Sequence, residues 1–113
     1  VPEAMRAPMA ALRASIAAHR KVRLAYTRAD GLASQRVIHP LGLVFWGETW
    51  TLGAWCELRG GFRSFRLDRI AGLTPLDEAF DGTGMLVRYL ASVQQEDGQA
   101  SPVLLPDGAA GSP

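Results

Sequence analysis

The chain has 113 residues, 48% of them hydrophobic, and a formal net charge of +1. That suits one domain with a single modest core and leaves too little material for a second. The lone cysteine, Cys56, excludes an internal disulfide, and no charged start followed by an apolar run or membrane-length stretch is present, so a cytoplasmic chain without membrane contact is expected.

Taken in order, Met5, Met9, Leu12 and Ile16 recur at four, three and four residues with alanines between, which is the apolar stripe of an amphipathic helix. Pro8 is read as its first turn, where a missing N–H is tolerated. The helix is expected to end near His19, with His19, Arg20 and Lys21 complementing the negative end of its dipole. Residues 22–27 alternate Val22, Leu24 and Tyr26 against Arg23, Ala25 and Thr27 and predict a first strand, closed by the turn residues Asp30 and Gly31. A second strand begins near Ala33, bends at Pro40 and Gly42, and continues to a turn at Gly47 and Glu48.

Residues 49–56 and 62–70 also alternate, and Gly60 and Gly61 lie between them, so they predict a hairpin of third and fourth strands. Its parity places Trp50, Leu52, Ala54 and Cys56 on one face and Thr51, Gly53 and Trp55 on the other; Phe65 and Leu67 oppose Ser64 and Arg66 likewise. With the apolar set inward, the outer face is expected to present Thr51, Ser64 and Arg66. Arg63 would then lie at the rim of the core, and Arg69 after a bend at Asp68. The predicted core is Trp50, Leu52, Phe65, Leu67 and Ile70, with Leu12 and Ile16 packed over one end. Residues from Ile70 to Leu76 predict a short fifth strand stopped by Pro75.

Leu86, Leu90 and Val93 have helical spacing, with Thr83 as cap and Gly98 as stop. Five short strands after one helix predict a mainly β, α+β fold: a small five-stranded barrel over residues 1–80 with its N-terminal helix, a C-terminal helix over 81–98 and a flexible tail over 99–113.

The charge is segregated. Residues 20–69 hold nine basic side chains against four acidic ones, whereas after Arg69 only Arg88 is basic, against six carboxylates. Eleven of the twelve basic residues are arginine, whose planar fork suits phosphate and carboxylate. A solvated basic surface is the plain reading of this cluster; an anion or nucleic-acid site is the functional one.

The segments Arg36-Val-Ile-His-Pro-Leu-Gly-Leu-Val44, Trp50-Thr-Leu52 and Arg63-Ser-Phe-Arg-Leu-Asp-Arg-Ile70 together resemble the WYL domain of bacterial transcriptional regulators. Thr51 stands where that family has the tyrosine of its name, which removes a ring available for stacking. The resemblance implies an Sm-like, SH3-type barrel that acts as an effector-sensing module. Its partner would be an anionic effector, a single-stranded nucleic acid or nucleotide, and it would reach operator DNA only through a helix-turn-helix domain that this sequence lacks. A homodimer is expected. The ligand-binding residues read from the arginine-rich face and the resembling segments are Arg36, His39, Thr51, Arg63, Ser64, Arg66 and Arg69, with a hydrogen-bonded structural role as the alternative for His39.

Two histidines twenty residues apart and one cysteine give no metal-ligand spacing, and neither a phosphate-cradling glycine loop nor a nucleophile elbow is present. No cofactor and no catalysis are expected. Glu57 and Asp68, each beside a turn and near arginines, are read as members of ion pairs. The alternative function is a constitutive dimerisation module that uses the first helix and binds no ligand.

Overall fold

The computed structural model describes residues 3–97 and 103–105. Helix α1 (Glu3–Ala18) leads into β1 (Arg20–Thr27), β2 (Ala33–Phe45), β3 (Trp50–Cys56) and β4 (Gly61–Arg66). One turn of 3-10 helix (Leu67–Arg69) joins β4 to β5 (Ile70–Ala79), and α2 (Met85–Asp97) and β6 (Val103–Leu105) follow. The strands form one antiparallel sheet in the order β4-β3-β2-β1-β5, with β6 paired to β2 off that path. The mainly β, α+β class is as expected. Within the stretch read as a flexible tail, residues 103–105 form a strand; residues 99–102 and 106–113, and Gly98, lie outside the described residues.

The sheet is not closed into a barrel, because its edge strands β4 and β5 do not pair with each other among the described residues. A side chain spans part of the gap instead. The Tyr26 hydroxyl on β1 accepts the Arg66 backbone N–H on β4 at 2.9 Å, and the Tyr26 ring meets Phe65 edge-on at 5.1 Å between centroids. Two strands separate β1 from β4 in the sheet order, so this contact requires the sheet to curl.

The curl arises in β2. Its first half pairs with β1 over Ala33 to Ile38 and its second with β3 over Ile38 to Phe45, with a register shift between Pro40 and Gly42 that leaves Leu41 unopposed. A bulge bends the strand and shifts its side-chain phase by one residue. Ile38 and Leu43, five apart, therefore share one face, whereas Leu41 and Val44 face the other. The edge of β2 that β1 leaves free, Leu43 to Phe45, is taken by β6.

Each face has its own core. On the first, Met9, Leu12 and Ile16 of α1 pack on Val22, Leu24, Ile38, Leu43, Leu52, Ala54, Cys56, Phe65 and Leu67, with Trp50 and Ile70 half-buried at the margin. On the second, α2 sets Tyr89 against Leu41 and Val44, with Phe62, Phe80, Met85, Leu86, Leu90 and Val93 around them. The sequence reading anticipated the first core and not the second.

Two prolines depart from expectation. Pro8 is the sixth residue of α1 rather than a first-turn residue. Its missing N–H removes one bond, to the carbonyl four residues back, in the first turns of the helix. Pro75 does not stop β5, which runs on to Ala79; β5 is an edge strand, where an absent donor is tolerated, and Pro75 opposes Val22 just before a register shift. No helix among the described residues is long and apolar enough to cross a membrane.

Leu52 is fully buried and opposes both Leu43 and Phe65. Leu52→Ala should lower the unfolding free energy by roughly 2–5 kcal/mol, read as a fall in the urea midpoint at unchanged slope.

Candidate functional site

The hairpin register sets the candidate residues on their faces. Thr51 opposes Arg66, Leu52 opposes Phe65, Gly53 opposes Ser64 and Ala54 opposes Arg63. Parity is as the sequence implies; of the three residues assigned to solvent, Ser64 is exposed and Arg66 half-buried, but Thr51 is covered. Thr51 is buried; its hydroxyl accepts the Trp46 indole N–H at 2.8 Å and approaches the Val44 carbonyl at 3.4 Å. Helix α2 lies on the same face of β3, and Gly53 admits it: a Cβ there would overlap the Tyr89 ring. The Tyr89 and Ser64 hydroxyls hydrogen-bond to each other, which ties α2 to β4.

The arginines do converge, but as a different set. A cleft of about 80 Å³ is lined by Tyr26, Arg28, Arg36, Arg59, Arg63, Ser64 and Phe65. Arg36 comes from β2 and Arg63 from β4, and the curl of the sheet brings these onto one opening. Arg28 and Arg59 come from the β1–β2 and β3–β4 turns. Glu57, at the start of the latter turn, donates its backbone N–H to the Val37 carbonyl, which sets that turn beside the first half of β2. Arg28 pairs with Asp30 at 3.1 Å. Arg36, Arg59 and Arg63 form no ion pair among the described residues.

A second hollow of about 280 Å³ adjoins the cleft and is lined by Phe62, Arg63, Ser64, Tyr89, Ser92 and Val93. Arg63 and Ser64 belong to both linings, so these two residues of β4 form the ridge between them. Arg88 lies over the Phe62 ring at 5.7 Å from its centroid.

The remaining candidates lie elsewhere. Arg66 grips Asp68 in two bonds of 3.0 and 2.7 Å, and this contact is the main reason the Asp68 carboxyl lies below its ordinary pKa. Arg69 ends the 3-10 turn and lines neither hollow. His39 stacks on Phe80 at 4.9 Å between centroids, and its Nε2 is 2.9 Å from Glu57 Oε2. An ionised carboxylate only accepts, so Nε2 carries the proton in that bond. Lys21 reaches the same oxygen at 2.9 Å, and chiefly through Lys21, then His39, the Glu57 carboxyl is held below its ordinary pKa. Among the described residues no group of three or more potential ligands is arranged to hold a metal ion.

Four contributors escaped the sequence reading. Arg28 and Arg59 sit in turns, where strand parity assigns no face. Tyr26 was read only as one of the alternating residues of the first strand. Tyr89 lies one position from Leu90 in the helical stripe, and only its register over Gly53 marks it.

A family model of the WYL domain matches residues 8–75. Among solved structures, proteasome accessory factor B/C (PafBC) of Arthrobacter aurescens is similar, with 31% sequence identity and a TM-score of 0.69. The match covers 75% of this chain and 13% of that one, so this chain spans a small part of that protein's length. No curated protein matches the chain.

Glu57, Asp68 and Asp81, the last held down chiefly by the Thr83 backbone N–H, are depressed carboxyls that give a pH signature. A carboxyl whose folded pKa lies below its unfolded value contributes stability above the unfolded value and loses it as pH falls through the folded one. The thermal midpoint should therefore fall between about pH 5 and 3, and Glu57→Gln should make that fall shallower while lowering the midpoint at neutral pH. Calorimetry across that range checks it; an identical pH profile in the variant would remove Glu57 from the balance.

Proposed function

Because the chain belongs to the WYL domain family, we propose that it is the effector-sensing part of a bacterial transcriptional regulator. In this reading it binds a nucleic-acid or nucleotide-like anion and modulates DNA binding by a helix-turn-helix domain outside this sequence. Its role is binding, with no catalytic step.

The observation that carries this reading is the set of three arginines, Arg36, Arg59 and Arg63, that open on one cleft without an ion pair among the described residues. Arginines held together without counter-ions repel, and an anion that enters between them removes that repulsion. Each guanidinium offers a planar fork of donors to a phosphate. Ser64 adds a hydroxyl on the ridge beside them. Arg66 contributes less in this scheme than its place in the motif implies, because Asp68 already satisfies its fork. Thr51 serves the packing under the site, through Trp46 and Val44, in place of the ring its family carries there.

Arg36→Ala and Arg63→Ala should each weaken binding of a short single-stranded oligonucleotide, with the thermal midpoint nearly unchanged. Each arginine on a phosphate adds about 0.7 to the negative slope of log affinity against log salt for a single strand, so each variant should lose about that much. Fluorescence anisotropy at several salt concentrations reads both quantities. Unaltered affinity and slope in both variants would leave the arginines as solvated surface and turn the reading toward a ligand-free interaction module.

A further inference from the structure

The dimensions and charge of the arginine cleft restrict which part of an anionic ligand it admits. Its volume of about 80 Å³ is enough to enclose a single phosphate group and is roughly half that of the ~150 Å³ cavity known to enclose a benzene ring, so the part of a ligand it encloses is the smaller one. The neighbouring hollow, at about 280 Å³, is close to the size at which small-molecule pockets begin.

Charge narrows the choice further. A phosphodiester inside a strand carries one negative charge and two free oxygens. A terminal phosphate carries close to two charges at neutral pH and presents three acceptor oxygens, as a phosphorylated side chain does. Arg36, Arg59 and Arg63 supply three guanidinium forks without an ion pair among the described residues, which matches the second group better than the first. The two hollows meet at Arg63 and Ser64, so a group seated in the cleft can continue across that ridge toward Phe62 and Val93.

We propose that the cleft binds a terminal phosphate, the phosphomonoester of a nucleotide or short oligonucleotide, with the sugar and base lying over the ridge in the larger hollow. This rests on the effector reading above and specifies which end of the effector is read. The cleft lining contains neither histidine nor carboxylate, and one of its arginines, Arg28, is paired with Asp30. Any change of affinity between about pH 5.5 and 7.5 therefore follows the second ionisation of the phosphate, near 6.

The test is competition on the full 113-residue chain against a fluorescein-labelled single-stranded oligonucleotide. The competitors are a dinucleotide phosphorylated at its 5′ end, at its 3′ end or at neither, and inorganic phosphate. At least one phosphorylated dinucleotide should compete about tenfold or more better than the unphosphorylated one, as expected for charge-assisted hydrogen bonds, and its advantage should grow as pH rises through 6. Arg36→Ala and Arg59→Ala should remove that advantage. Arg23→Ala, an equal charge change at an exposed strand residue outside the cleft lining, should keep it. Arg59 lies in an exposed turn, so its variant separates loss of the site from loss of the fold. Equal competition by all three dinucleotides would overturn the terminal-phosphate assignment and leave the effector reading standing. Inorganic phosphate competing as well as the phosphorylated dinucleotide would overturn the nucleotide part of the assignment. If the labelled oligonucleotide does not bind at all, the effector reading fails and this assignment fails with it.

Discussion

Pro40 and Gly42 flank the unopposed Leu41 in a strand of thirteen residues, and this irregularity determines where most other elements sit. Without the extra residue, Leu43 would turn away from Ile38 and the second half of β2 could not share a core with Leu52. With it, one strand serves two neighbours in succession, β1 and then β3, and the sheet curls between them. The curl brings Tyr26 of β1 to Phe65 and Arg66 of β4. It also brings Arg36 and Arg63, from strands either side of β3, onto the same opening. The site is thus a consequence of how the sheet bends, and its residues are far apart in sequence for that reason.

The second constraint is a matter of space. Gly53 leaves the outer face of β3 bare enough for the Tyr89 ring to lie on it, and Ser64, directly opposite Gly53, bonds the Tyr89 hydroxyl. A single side chain of α2 therefore packs on β3 through its ring and bonds β4 through its oxygen. Ser64 also borders the arginine cleft, so the cleft and the helix share a wall. A hydroxyl bonded to a buried phenol is held in place, which gives the ridge between the two hollows a defined shape.

The alternating strands, the α1 stripe, the bend at Pro40 and Gly42 and the inward face of the hairpin were all legible in the sequence, because each is a local pattern with a fixed period or a fixed turn chemistry. The open sheet was not legible: whether two edge strands meet depends on accumulated curl, which no window of sequence records. The burial of Thr51 was missed because parity separates two faces without saying what will cover either, here Trp46 and Val44. Arg36, Arg63 and Ser64, named together from neighbouring strands, do line one cleft. Arg28 and Arg59 were passed over as turn residues, and Arg66 was included although its partner Asp68 stands only two positions away.

That last contrast explains how a net charge of +1 is compatible with a concentrated basic site. Among the basic residues of positions 20–69, Arg20 pairs with Asp77, Lys21 with Glu57 and Glu78, Arg28 with Asp30 and Arg66 with Asp68. The carboxylates are used at the ends of β1 and β5 and beside the turns, leaving Arg36, Arg59 and Arg63 at the cleft, and Arg23 and Arg69 outside it, without an ion pair among the described residues. Two unit charges about 4 Å apart repel by about 1 kcal/mol in bulk water and by several times that as water is excluded. At an open cleft the water and salt present keep the cost small, so the fold tolerates the cluster. An anion between the arginines would offset that repulsion, and displacing water there would strengthen its attraction only at the expense of desolvating the guanidinium groups.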